Sequence, residues 1–174
     1  MGPDLIVEHR AFPLRPAPAE NVPFKGTYRE AGWQRCNQMS AGDGIVFTPW
    51  PHAALPGWSL PALEAAKAVA KQGEALFERV HIALYEAFFT RSLDIADPAV
   101  LEQVVAEHGA DLARFTADLQ AGFARAAVLA DYEAAVNEHG VRAIPTVVVP
   151  ETGRALVGLA DLGVYRSAIE EAAG

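Results

Sequence analysis

From Ser59 to Gly140 the apolar residues keep a helical spacing, and this long block constrains the fold more than any other feature. Ser59 stands where an N-cap is expected, with Leu63, Ala66 and Ala70 following at helical intervals up to Gly73. Leu76, Val80, Leu84 and Phe88 then recur every fourth residue, and Phe77, Ala83 and Ala87 widen that stripe. Asp97-Pro98 pairs an N-cap acceptor with the proline favoured at a first helical position, and this helix is expected to end at Gly109. Helices over Asp111 to Ala121 and Phe123 to His139 follow, the last closed by Gly140.

Strand-forming sequence is therefore left to the two ends. Leu5 to Phe12 carries Val7, His9 and Ala11 on alternate positions and reads as a strand ended by Pro13. Thr146 to Val149 is a β-branched run of buried-strand type after Ile144-Pro145. Thr152-Gly153 turns the chain into a second short strand over Arg154 to Leu159. Asp161 to Ala173 closes as an amphipathic helix with Leu162, Tyr165 and Ile169 on one face. The order specifies an α/β fold: a sheet part from residues 1–58 and 141–174, and a helical insertion with its connecting helix over 59–140.

Asn21 to Pro56 is rich in glycine, proline and aromatic residues, with one helix expected near Thr27 to Met39 and a short strand at Ile45 to Phe47. Trp33, Phe47, Trp50 and Trp58 crowd this stretch, so an apolar binding groove and simple packing under a long loop both remain open.

The formal net charge of -8 speaks against nucleic acid as a partner, because phosphate binding needs a basic stripe. No apolar run approaches the roughly 20 residues of a membrane span. Met1 opens no basic-then-apolar leader, so a cytoplasmic location is expected. Cys36 is the one cysteine, which rules out an internal disulfide, and the five histidines show no ligand spacing, so no metal site is expected. His81 falls beside Phe77, Leu84 and Tyr85 on a helix and reads as a packed histidine rather than a base. His52 is loop-borne, with no partners for a triad. Asp97 is better explained as a cap, and Asp94 as loop solvation, than as a catalytic carboxylate pair.

The run Gly140-Val141-Arg142-Ala143-Ile144-Pro145-Thr146-Val147-Val148-Val149 is similar to the strand entry of DsbA-like thioredoxin folds, in particular the FrnE-like and 2-hydroxychromene-2-carboxylate isomerase branch. Gln72-Gly73-Glu74 through Phe88-Phe89, followed by Leu93-Asp94-Ile95-Ala96-Asp97, resembles the helical insertion of that branch. Phe12-Pro13-Leu14-Arg15-Pro16 looks like the exit of its second strand. The resemblance implies a thioredoxin-like sheet with a helical insertion, a cis-proline at Pro145, and a substrate-binding stretch of Ile144, Pro145 and Thr146 that pairs with a peptide or with glutathione. It also implies a first, central strand leading into a Cys-x-x-Cys or Ser/Cys motif, and only Met1 to Asp4 precede the second strand here. The chain therefore reads as N-terminally truncated relative to the family, with no catalytic residue of its own.

A helix N-terminus activates the first cysteine of such a motif, and a second thiol resolves the mixed disulfide. Cys36, in Trp33-Gln34-Arg35-Cys36-Asn37, is a lone thiol read as buried or inert, though Arg35 beside it could favour a thiolate. The resemblance implies a thiol-disulfide oxidoreductase lineage, inactive in dithiol exchange as this chain, with a protein thiol or small molecule as substrate. The alternative is a non-catalytic dimeric binding scaffold using the groove near Pro145. Two strands flanking an absent third would leave backbone groups unpaired at about 1–3 kcal/mol each, so a homo-oligomer or a rearranged sheet is expected. No cofactor other than glutathione is suggested.

Overall fold

The structure, a computed structural model, describes residues 5–42 and 44–173. Met1 to Asp4, read above as too short to hold a preceding strand, lie outside the described residues. The chain divides into two compact units, one of residues 13–128 and one of residues 1–12 with 129–174.

The 13–128 unit holds the helices α1 (Tyr28–Met39), α2 (Leu60–Ala70), α3 (Glu74–Tyr85), α4 (Pro98–Glu107) and α5 (Leu112–Gln120), and the start of α6 (Phe123–Asn137). Local chemistry sets most of their starts. Thr27 caps α1 by accepting from Arg29 N–H, Asp97 caps α4 through Ala99 N–H, and Asp111 caps α5 through Arg114 N–H. Ser59 does not cap α2. Its hydroxyl accepts from Arg15 N–H at 2.9 Å while its own N–H donates to the Arg15 carbonyl at 3.1 Å, which clips the segment after Pro13 to the start of α2.

The apolar stripes meet in one core of Ala65, Val69, Val80, Leu84, Val104 and Phe115 with smaller neighbours. Alanines at 65, 68, 83 and 87 let α2 and α3 approach closely. At its end α3 widens into a π-helical turn, Glu86–Thr90. Phe88 and Phe89 there pack against Trp33 at ring distances of 5.3 and 5.0 Å. Phe24, Trp33 and Trp50 form a second buried cluster with them.

Ile45 to Phe47 form no strand. Thr48 N–H donates to the Phe89 carbonyl, Thr90 Oγ1 to the Val46 carbonyl and Trp33 Nε1 to the Thr48 carbonyl. The loop thus satisfies its polar groups against the end of α3 and against α1 rather than in a ladder.

The other unit contains the rest of α6, strands β1 (Thr146–Val149) and β2 (Arg154–Val157), and α7 (Leu162–Ala173). The strands pair as an antiparallel hairpin with Thr146 opposite Val157 and Val149 opposite Arg154. Gly153, at φ 68°, supplies the left-handed residue the turn requires. Gly158 N–H donates to the Pro145 carbonyl at 2.8 Å, extending the ladder by one pair.

Three expectations about this unit need correction. Leu5 to Phe12 is not a strand. It is held to α6 by side chains: Asp131 accepts from Ala11 N–H at 2.8 Å and from Arg10 at 3.0 Å, and Phe12 meets Tyr132 edge-on. A period-2 pattern becomes a strand only when a partner strand is within reach, and no described strand lies along it. Val149 is buried, but Val147 is 40% exposed, so β1 is not the fully buried strand its composition suggested. On α7, Tyr165 and Ile169 are half-buried and Ala168 fully buried, whereas Leu162 is 62% exposed at the helix start.

Candidate functional site

In an antiparallel pair, hydrogen-bonded and non-bonded residue pairs alternate. The bond from Gly158 N–H to Pro145 C=O fixes the phase: Val147 and Val149 turn their backbone groups towards β2. Thr146 and Val148 therefore present N–H and C=O on the opposite edge of β1, where no described strand pairs with them. Ile144, one step further along the same edge, makes no backbone hydrogen bond among the described residues. Its side chain is 43% exposed and the Ile144–Pro145 peptide bond is cis.

Thr146 Oγ1 donates to the Ala143 carbonyl at 2.7 Å, and Arg142 donates to the carbonyls of Val136 and Val141. These bonds hold the approach to the strand while leaving its outer edge free. The outer edge of β1 therefore carries the unpaired backbone groups of Thr146 and Val148, continued by Ile144, while the Pro145 carbonyl between them is taken by Gly158 N–H.

Cys36 lies elsewhere. It is exposed rather than buried, in the last turn of α1, where its carbonyl accepts from Ser40 N–H. A helix N-terminus is the position that activates a thiol, and Cys36 is at the other end of its helix.

Of the remaining sequence candidates, the tryptophans are largely core. Trp33 and Trp50 are buried, and each indole N–H is spent on a backbone carbonyl, Thr48 for the first and Ala54 for the second. A cavity of about 210 Å³ remains beside Trp33, Phe47 and Asn37. Trp58 donates to the Pro16 carbonyl beneath the Arg125 guanidinium. His81 is sandwiched by Phe77 and Tyr85, and His52 packs against Trp50. Asp94 accepts from Ala96 N–H and Asp97 from Ala99 N–H, so both carboxylates serve local turns. Among the described residues no three metal-ligating side chains gather, and no helix is long and apolar enough to cross a membrane.

Asp131, buried in α6, escaped sequence reasoning because nothing adjacent in the chain marks it; its partners are about 120 positions away.

The chain matches the DSBA-like thioredoxin domain over residues 2–170. It belongs to that family. A Bacillus subtilis (strain 168) protein, the uncharacterized YwbO, is 24% identical over 171 residues, covering 98% of this chain and 84% of that protein. A solved structure from Nitrosomonas europaea, described as a candidate protein disulfide isomerase, superposes with a TM-score of 0.71 at 19% identity. That likeness covers 88% of this chain and 78% of the other, and it shows the same fold. Among the described residues the strands of this member are those of the β1–β2 hairpin, and helices make up most of the rest.

Proposed function

We propose that this DSBA-like domain is a binding member of the thiol-disulfide oxidoreductase lineage, capturing an extended segment at the open edge of Ile144, Pro145 and Thr146. The observation that carries the reading is the free backbone edge: two residues of β1, and Ile144 before it, offer donors and acceptors with no backbone partner among the described residues. An extended segment laid there gains one backbone pair for every second residue, and Ile144 adds apolar contact. The residues resembling the FrnE-like and isomerase branch support a protein thiol or a glutathione-like peptide as the occupant.

These 174 residues do not carry out dithiol exchange by themselves. One cysteine cannot both attack a disulfide and resolve the resulting mixed disulfide, and Cys36 lacks a helix start to activate it. The test is a reductant-coupled insulin assay beside a binding titration with a reduced, unstructured peptide. Saturable peptide binding without turnover is expected. Sustained turnover by the isolated chain would overturn the inactive part of the reading, and absence of peptide binding would overturn the rest.

A second reading is favoured by the exposed apolar side chains at Val147, Val157 and Leu159 on and just after the hairpin. A second copy pairing along β1 would cover backbone and apolar surface together, making a dimeric scaffold. Light scattering distinguishes the two: a concentration-independent monomer removes the dimer.

A further inference from the structure

We infer that the cavity between the Leu14–Pro23 segment and the start of α1 is a binding site for a small organic oxyanion, a phosphate or carboxylate attached to an apolar body. The cavity has a volume of about 660 Å³, the size of a small-molecule site rather than a packing defect. Two arginines line it, Arg15 and Arg29, and no acidic residue does so among the described residues.

Neither arginine has an ion-pair partner among the described residues. Arg29 donates to the Pro23 carbonyl and lies over the Tyr28 ring at 4.7 Å. Arg15 Nε is buried with no acceptor. The Arg15 side chain makes no hydrogen bond among the described residues, so its terminal N–H groups are left for an oxyanion, which binds a guanidinium through charge-assisted and bidentate bonds. Burial first, and then the like charge of Arg29, hold the Arg15 guanidinium below its ordinary range. Two cations left to repel each other in one cavity mark a place prepared for negative charge.

The surroundings add position and selectivity. The two bonds with Ser59 fix the backbone of Arg15 at the cavity wall. The N-terminal end of α1 opens on the same cavity at Tyr28 and Arg29, adding the positive end of its dipole. Val22, Leu55 and Phe88 supply the apolar wall, and so a bare inorganic anion would leave that wall unused. The chain's net charge of -8 would repel anions in general, so attraction here has to be local.

The test titrates the full chain with phenyl phosphate, 3-phenylpropionate, inorganic phosphate and the neutral benzyl alcohol, followed by amide chemical shifts. Saturable binding of phenyl phosphate or 3-phenylpropionate, with shifts at Arg15, Tyr28 and Arg29, is expected; whichever binds more tightly identifies the oxyanion. Arg15→Met and Arg29→Gln should each weaken binding by about tenfold or more. Arg79→Gln, removing an exposed arginine on α3 that bonds only its own helix, should leave binding unchanged. If Arg15→Met fails to fold, Arg29→Gln carries the test, since it leaves the core intact. No saturable binding by either aromatic anion, equal binding of benzyl alcohol, or equal weakening by Arg79→Gln would overturn the inference.

Discussion

Removing the Asp131 carboxylate measures what replaces strand pairing for the N-terminal segment. In Asp131→Ala, the buried Ala11 N–H loses its acceptor at 2.8 Å, a cost of about 1–3 kcal/mol. The Arg10 pair at 3.0 Å is also lost, but the Arg10 side chain is 58% exposed, so this adds no more than about 1 kcal/mol. The expected destabilisation is therefore about 1–4 kcal/mol. Asp131→Asn keeps an oxygen for Ala11 N–H and should cost roughly half as much. Arg10→Ala alone should cost about 1 kcal/mol or less. Urea unfolding gives the three free energies, and native-state hydrogen exchange at Ala11 locates the change, which should be lost protection in residues 5–12. An Asp131→Ala cost below about 0.5 kcal/mol, or an Asp131→Asn cost equal to it, would refute the anchoring role.

Phe115→Ala should cost about 3–5 kcal/mol in urea unfolding, since Phe115 is 1% exposed in the core shared by α2, α3, α4 and α5. Gly57→Ala should lower the melting temperature, because a Cβ at Gly57 would run into the Ala19 carbonyl oxygen and push apart the pair in which Ala19 N–H donates to Gly57 C=O. Glu30 is held below its ordinary value of 4.5 by the Gly26 N–H and then by Lys25. A depressed carboxylate contributes stability above its unfolded pKa and loses it as pH falls through the lower folded value, so Glu30→Gln should flatten the acid-side decline in melting temperature below about pH 4.5. An unchanged acid limb would count against that bond.

Helices whose signals are local were legible in the sequence. Asp97-Pro98 and Asp111 carry their caps within two or three residues, and the alanine and valine stripes of α2, α3 and α4 needed only period 3.6. The hairpin was legible for the same reason, through Thr152-Gly153 between the β-branched run of β1 and a second short apolar run. What depends on distant partners was not. Leu5 to Phe12 alternates like a strand but is satisfied by Asp131. Ser59 looks like a cap yet spends its hydroxyl on Arg15. Exposure of Cys36 follows from how far the aromatic cluster reaches along α1: it buries Trp33 and leaves Cys36, nearly one turn further on, exposed. The Arg15 and Arg29 cavity has no sequence signature, since its two cations come from different segments and its missing counter-charge is a property of the assembled unit.

Amide hydrogen exchange at Thr146 and Val148, with and without a reduced extended peptide, tests the central claim most directly. Both N–H groups face the open edge of β1, and so both should exchange rapidly in the free chain and become protected at saturating peptide. Slow exchange already in the free monomer, or no change when peptide binds, would contradict the assignment of that edge as the binding site.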